Sequence, residues 1–306
     1  MDNNSTVDHS HGDGSSNADL LSQLNEEEAS QLAEELKHQL RTGILVSTES
    51  DDIQRMVAGL GDRRGLLRLT FAESLGSVGS SAVPALCNAM CHHTNVTVRR
   101  AAAKTLTLIA DASALPHLLQ ALLNDEDPVV QGSAVGAMAA IGSEAVDGLL
   151  NILINPDSSQ MQIGLASWGL SFVGARAPKA LREAAQSEHA QIRSAAIAAL
   201  GDQIQSLDDQ EARNLLTLAL NDSAEDVRAE AATLLGKLHD VDWAEPLLAP
   251  KLVEESIQVR KNAALSLMKL GDPKVIPLLE EVAQNETESS VITIFQLAIR
   301  QLKGAL

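Results

Sequence analysis

Tyrosine is absent from this 306-residue chain, and phenylalanine and tryptophan together supply only 2% of it. A sequence that is 45% apolar but so poor in rings builds its core from Leu, Ala, Ile and Val packed between helices. Bases are scarce as well. Lys and Arg number 23 against 41 Asp and Glu, a formal net charge of −18. That balance argues against nucleic acid as a partner, because such binders carry a basic footprint and commonly aromatic platforms. It argues equally against attraction to an anionic lipid surface. Two cysteines are too few for a disulfide framework, so a reducing, cytoplasmic compartment is expected. No apolar run is long enough for membrane insertion, and the opening MDNNSTVDHSHGDGSSNAD contains no secretory core segment.

What is present is a repeat. A residue followed seven positions later by Leu or Met recurs as Arg68/Leu75, Arg99/Leu106, Gln131/Met138, Ile163/Leu170, Arg193/Leu200, Arg228/Leu235 and Arg260/Leu267. The anchors are 31, 32, 32, 30, 35 and 32 residues apart, and a degenerate eighth is expected 30 further on at Ser290/Leu297. A unit this short cannot bury its own apolar face, so neighbours must stack into one continuous core. The expected fold is all-α: a right-handed α-α superhelix of about eight two-helix repeats over residues 50–306. Residues 20–49 supply an N-terminal capping helix and linker, and residues 1–19 read as a disordered tail holding His9 and His11.

Local signals mark the helix ends. Asn25 and Glu28 form a capping box for a helix over 26–41, whose Leu32, Leu36 and Leu40 cover the first repeat. A second helix runs from Asp51 to Leu60 and breaks at Gly61. Pro84, Pro116, Pro178, Pro246 and Pro277 open first helices, where proline loses no hydrogen bond. Asp62, Asn95, Asp127 and Asp222 cap second helices, and Gly79 and Gly142 suit left-handed helix ends. The anchor arginines and these turn acids predict a hydrogen-bonded ladder between repeats, interrupted mid-chain at Gln131 and Ile163.

A stack of this kind offers a long groove, so function is sought there. Positions +1, +5 and +8 from each anchor fall on one face of the second helix. Along the stack they read Leu69, Glu73, Gly76; Arg100, Lys104, Thr107; Gly132, Gly136, Ala139; Gly164, Trp168, Ser171; and Ser194, Ala198, Gly201. Glycine inside a helix costs about 0.8–1 kcal/mol relative to alanine, so Gly132, Gly136 and Gly164 need a reason. Two stay open: close packing between helices, or close approach of a ligand with Trp168 as a stacking wall. Arg68, Arg100 and Lys104 are candidate carboxylate binders, and Glu73 and Asp62 candidate proton donors or acceptors. Cys87 and Cys91, followed by His92 and His93, resemble a metal motif. Aligning Pro84–Cys91 with Pro116–Leu123 puts both cysteines on core leucines, which favours a buried apolar role and no metal. Trp243 is read as filling a gap in the core.

The short period, with Val98-Arg-Arg-Ala-Ala-Ala-Lys-Thr-Leu and Val227-Arg-Ala-Glu-Ala-Ala-Thr-Leu-Leu, resembles the HEAT-like repeats of cyanobacterial phycobilin lyases over residues 50–303. The segments starting at Gly59 and Gly164 are similar to the single-chain, phycoerythrin-associated group, which includes lyase-isomerases. The resemblance implies an enzyme of phycobilisome antenna biogenesis that joins a phycobilin chromophore to a cysteine of a phycobiliprotein α or β subunit. The bilin is then a substrate rather than a cofactor. Arg68, Arg100 and Lys104 would hold its propionates, Gly132, Gly136, Gly164 and Trp168 its tetrapyrrole, and Glu73 or Asp62 would handle protons. Two other roles compete: a non-catalytic chaperone or adaptor for phycobiliproteins, and an iron–sulfur or thiol scaffold using Cys87 and Cys91.

Overall fold

The computed structural model describes residues 24–304, so the expected tail at 1–19 lies outside the described residues. Every element described is helical. Helix α1 (Glu26–Thr42) is followed by eight pairs. These are α2 (Ser50–Gly59) with α3 (Gly65–Val78), α4 (Val83–His92) with α5 (Val96–Ile109), and α6 (Leu115–Asn124) with α7 (Pro128–Ile141). Next come α8 (Val146–Ile154) with α9 (Gln160–Val173), and α10 (Pro178–Ala184) with α11 (Ala190–Leu207). The last three are α12 (Gln210–Ala219) with α13 (Glu225–Leu238), α14 (Val241–Leu248) with α15 (Ile257–Leu270), and α16 (Ile276–Asn285) with α17 (Ser289–Gly304). Each pair stacks on the next. The second helices touch one another far more extensively than the first helices do, so they form the inner, concave layer.

One apolar core runs almost the whole length, from Ala29 and Leu36 of α1 to Phe295 and Leu302 of α17. Helix α1 packs on α3 and closes the N-terminal end, with Leu36 buried and Leu32 and Leu40 against the core. Its capping box is formed: Asn25 Oδ1 accepts from the Glu28 amide at 2.9 Å, and Glu28 Oε2 accepts from the Asn25 amide at 2.9 Å. The eighth repeat has a different register from the one its sequence suggests. Val291, Phe295 and Ala298 are the buried set, matching Val259, Ala263 and Ser266, so the anchor pair is Ile292/Ile299. Leu297 is only half-buried.

The ladder is built at two levels. Arg99 donates from Nε to Asp125 at 2.8 Å, Arg193 to Asp222 at 2.8 Å, Arg228 to Glu254 at 2.6 Å and Arg260 to Glu286 at 2.7 Å. The Nη1 of each also donates to two backbone carbonyls of the turn before its own helix, as at Glu254 and Glu255 for Arg260. Every rung therefore ties one repeat to the next and satisfies a turn at once. On the first helices, Arg182 pairs with Asp209, and Arg213 with Asp240 at 2.9 Å. The ladder stops where Gln131 and Ile163 replace arginine. Gln131 Nε2 still reaches the Asp125 carbonyl at 2.7 Å, but its buried Oε1 has no partner.

Several local expectations are corrected. Pro246 does not open α14, which starts five residues earlier at Val241 under an Asp240 cap. Asn95 and Asp127 cap α5 and α7 as expected. Asp62 and Asp222 instead brace their turns, accepting from the Arg64 and Ala224 amides, because each stands two residues before the residue that caps its helix. Gly79 and Gly142 end their helices at φ 72° and 96° with ψ near the opposite edge, a conformation only glycine adopts easily. Trp243 is half-buried beneath Arg213, whose guanidinium lies 4.5 Å from the ring centroid.

Candidate functional site: a slot over α7

Exposure along the second helices defines the groove face as −2, +1, +5 and +9 from each anchor. The +8 glycines instead face neighbouring helices: a Cβ on Gly201 would lie 3.0 Å from Leu234, and one on Gly76 3.4 Å from Leu108. On α3, α5, α7 and α9 this face carries a strip of exposed apolar side chains beside Glu73, Arg100 and Lys104. Leu66 and Leu69, Leu108, Val129, and Met161, Trp168 and Phe172 are all exposed there. From α11 onward the same columns turn polar, with Asp202, Lys237, Lys261 and Lys269. Exposed large apolar side chains gathered on one face make it a candidate binding surface.

Within that strip α7 is nearly bare. Gly132, Gly136 and Ala140 occupy its groove positions, while α5 on one side offers Arg100, Lys104 and Leu108. On the other side α9 offers Gly164, Trp168 and Phe172. Trp168 is 44% and Phe172 59% exposed, their ring centroids 4.6 Å apart at 49°. Neighbouring helices pack about 8–10 Å apart, so α5 and α9 are the walls of a slot whose floor is α7.

The glycines separate into two kinds. A Cβ added to Gly169 would lie 2.5 Å from Val135 Cγ1, so that glycine permits helix contact. A Cβ at Gly136 or Gly164 would meet nothing within 4 Å, and one at Gly132 only Leu165 at 3.8 Å. Helix packing therefore does not account for Gly136 or Gly164. Of the two readings left open by sequence, close approach of a ligand retains a physical basis.

The charged candidates are placed unequally. Arg68 does not enter the slot: it stands in the ladder column but braces only its own turn, donating to the Asp62 and Arg63 carbonyls at 2.6 and 3.1 Å. Arg100 forms a bidentate pair with Asp127, Nε to Oδ1 at 2.9 Å, and this holds the Asp127 carboxyl down at about 2. Its charge is thus neutralised by the cap of the slot floor. Asp62 is gripped by Arg64 and lies below the usual carboxylate range, so near neutrality it is ionised and cannot donate a proton. Glu73 is exposed on the groove face of α3. Lys104 is exposed and unpaired among the described residues, the one free cation on the α5 wall.

Cys87 is buried, and desolvation pushes its thiol up to about 12. Burial also raises Cys91, whose Sγ approaches the His117 carbonyl at 3.7 Å. Both are neutral thiols near pH 7, poor as nucleophiles or metal ligands. Among the described residues no three His, Cys, Asp or Glu side chains gather to hold a metal ion. No helix of the described residues is long and apolar enough to cross a membrane.

Phe172, Leu108, Val129 and Met161 are slot residues that the +1, +5, +8 reading misses. The available signal was Trp168 and Phe172 four residues apart, the spacing that aligns side chains along one helix face.

Paired helices of this geometry define an α-solenoid, and the HEAT repeats pattern matches residues 53–139, 83–166 and 212–300. Bilin biosynthesis protein MpeU of Synechococcus sp. (strain WH8020) is 44% identical over 279 residues, 91% of this chain and 94% of that protein. The chain belongs to the family of HEAT-repeat bilin biosynthesis proteins that includes it. The uncharacterized phycocyanin operon protein Z of Pseudanabaena tenuis (strain PCC 7409) is 28% identical over 139 residues, 43% of this chain and 69% of that protein. Among solved structures, importin beta aligns with 91% of this chain and 44% of its own at 15% identity and a TM-score of 0.48.

Proposed function

We propose that this chain is a bilin lyase: it lays a phycobilin in the slot over α7 and presents it to a cysteine of a phycobiliprotein α or β subunit. The observation that carries the reading is the open space above Gly136 and Gly164 beside the exposed Trp168–Phe172 pair. A flat conjugated tetrapyrrole suits a floor without side chains and a wall of rings, and Lys104 offers an ammonium to a propionate. The relation to MpeU supports a bilin as the ligand.

In the reaction the acceptor thiolate attacks the A-ring ethylidene carbon and a C–S bond forms. The electron pair of the exocyclic double bond moves into the pigment, which takes up one proton, so the thiol's own proton balances the step. Cys87, which is buried, and Cys91, which is half-buried, are both protonated thiols and have no part in it. With Asp62 locked as a carboxylate and Glu73 on α3, beyond the α5 wall, solvent is the proton source. Most of the rate comes from holding pigment and thiol in register, since thiolate is intrinsically nucleophilic. Isomerisation of the bilin would use the same slot and the same proton route.

A carrier role without transfer chemistry is favoured by one observation, the preponderance of aliphatic, aromatic and glycine groups lining the slot. Co-expression with bilin synthesis and individual α or β subunits separates the two, read by acid–urea spectra and peptide mass spectrometry. A pigmented cysteine peptide formed only with this protein present supports the lyase. Tight pigment binding with no covalent product on any subunit supports the carrier.

A further inference from the structure

Lys104 accounts for one carboxylate of a bilin, which carries two. Arg176 stands at the other side of the slot floor, in the turn that follows α9. Gly174, at φ 45°, ends that helix and reverses the chain. Arg176 is exposed, and its Nη1 donates to the Ala139 carbonyl at 3.0 Å, in the last turn of α7. The guanidinium is thereby tethered over the C-terminal end of the floor that Gly136 and Ala140 form. Most other arginines are held by carboxylates, as Arg99, Arg182, Arg193, Arg228 and Arg260 are, but Arg176 has no ion pair among the described residues. Asp202 is near enough to feel its charge, yet its oxygens are taken by the Ser206 hydroxyl at 2.7 Å and the Ala175 amide at 2.8 Å. One edge of the Arg176 fork stays open.

We infer that Arg176 is the second carboxylate clamp of the slot, binding one pigment propionate while Lys104 binds the other. The inference rests on the slot being the pigment seat. Its physical motive is the polarity of α7: free carbonyls at a helix C-terminus repel an anion. A carboxylate can settle at that end only if a cation covers them, and Arg176 already does so through Ala139. The remaining guanidinium N–H groups then meet a carboxylate in the fork geometry that lysine lacks.

The test uses the purified full chain with biliverdin as the free diacid and as its dimethyl ester, followed by absorbance titration. The parent should favour the diacid at least tenfold, the scale of one charge-assisted hydrogen bond. Arg176→Gln should weaken diacid binding about tenfold and leave ester binding unchanged, while Arg176→Lys recovers part of the loss. Equal weakening for diacid and ester would reduce Arg176 to a helix-end brace and overturn the clamp. A parent that binds both forms equally overturns the clamp and leaves the seat standing. A parent that binds neither removes the seat, and the clamp with it.

Discussion

Replacing Gly136 and Gly164 by alanine should make the protein more stable, the opposite of the outcome expected at Gly169. A Cβ at either position enters open space, so no overlap opposes the gain in helix propensity. Each substitution is worth about 0.8–1 kcal/mol, and the pair about 2 kcal/mol if the sites act independently. Urea unfolding followed by circular dichroism should show a later transition for the double variant. Gly136→Leu should keep most of this gain but project an isobutyl group into the slot, so pigment binding falls steeply while the fold strengthens. Gly169→Ala is the internal control: its Cβ would overlap Val135, and forced overpacking costs about 1–3 kcal/mol. If Gly136→Ala destabilises as Gly169→Ala does, something packs against the α7 floor and the slot is not open. If Gly136→Leu binds pigment like the parent, the slot is open but is not the seat.

Trp168→Ala should weaken pigment binding, read by absorbance titration, with melting nearly unchanged because the ring is 44% exposed. Arg260→Ala strands Glu286 and two turn carbonyls, and a loss of about 3 kcal/mol is expected in urea unfolding, localised by hydrogen exchange to α15–α17. Cys87→Ala and Cys91→Ala should retain transfer and lose about 1 kcal/mol of stability, so abolished transfer with intact folding would return the thiols to the chemistry. Acid should loosen the joint between α5 and α7. The Arg100 guanidinium lowers Asp127 from 3.8 to about 2, so its stabilising contribution is complete above pH 3.8 and lost as pH falls through 2. Asp127→Asn should flatten that part of the acid-unfolding curve.

The repeat was legible because units share one joint, Arg, an acid and Leu at fixed offsets, and keep its Leu or Met even where Gln131 and Ile163 replace the Arg. Those offsets also held information that went unread. Arg99 and Asp125 are 26 residues apart, as are Arg228 and Glu254, while Arg100 and Asp127, Arg182 and Asp209, and Arg213 and Asp240 are 27 apart. A search at +26 and +27 would have assigned Arg100 to a partner one repeat away rather than to a ligand. Arg68 lacks this signal, since His93 stands one repeat before Asp125, and its backbone bonds leave no mark in sequence. The glycines of α7 and α9 were visible, but open space above Gly136 and close contact at Gly169 depend on packing angles that a list of residues does not carry. The eighth repeat was misplaced because neither Ser290 nor Ile292 carries the ladder arginine, leaving only apolar spacing to set the register.

The gap in the ladder has a mechanical meaning. On the second helices four arginine–carboxylate rungs of the anchor column cross-link the stack, one at α5–α7 and three from α11 to the C-terminal end. The α7–α9 and α9–α11 joints have none and add to their apolar contact only isolated bonds, such as Arg176 to the Ala139 carbonyl and the Ala175 amide to Asp202. A rod with these rungs missing from its middle bends most easily there, so the separation of its ends is set at α7 and α9. A rigid molecule seated across those two helices would act as a splint. Its arrival and departure would then be felt far from the slot, as a change in the pitch of the whole superhelix.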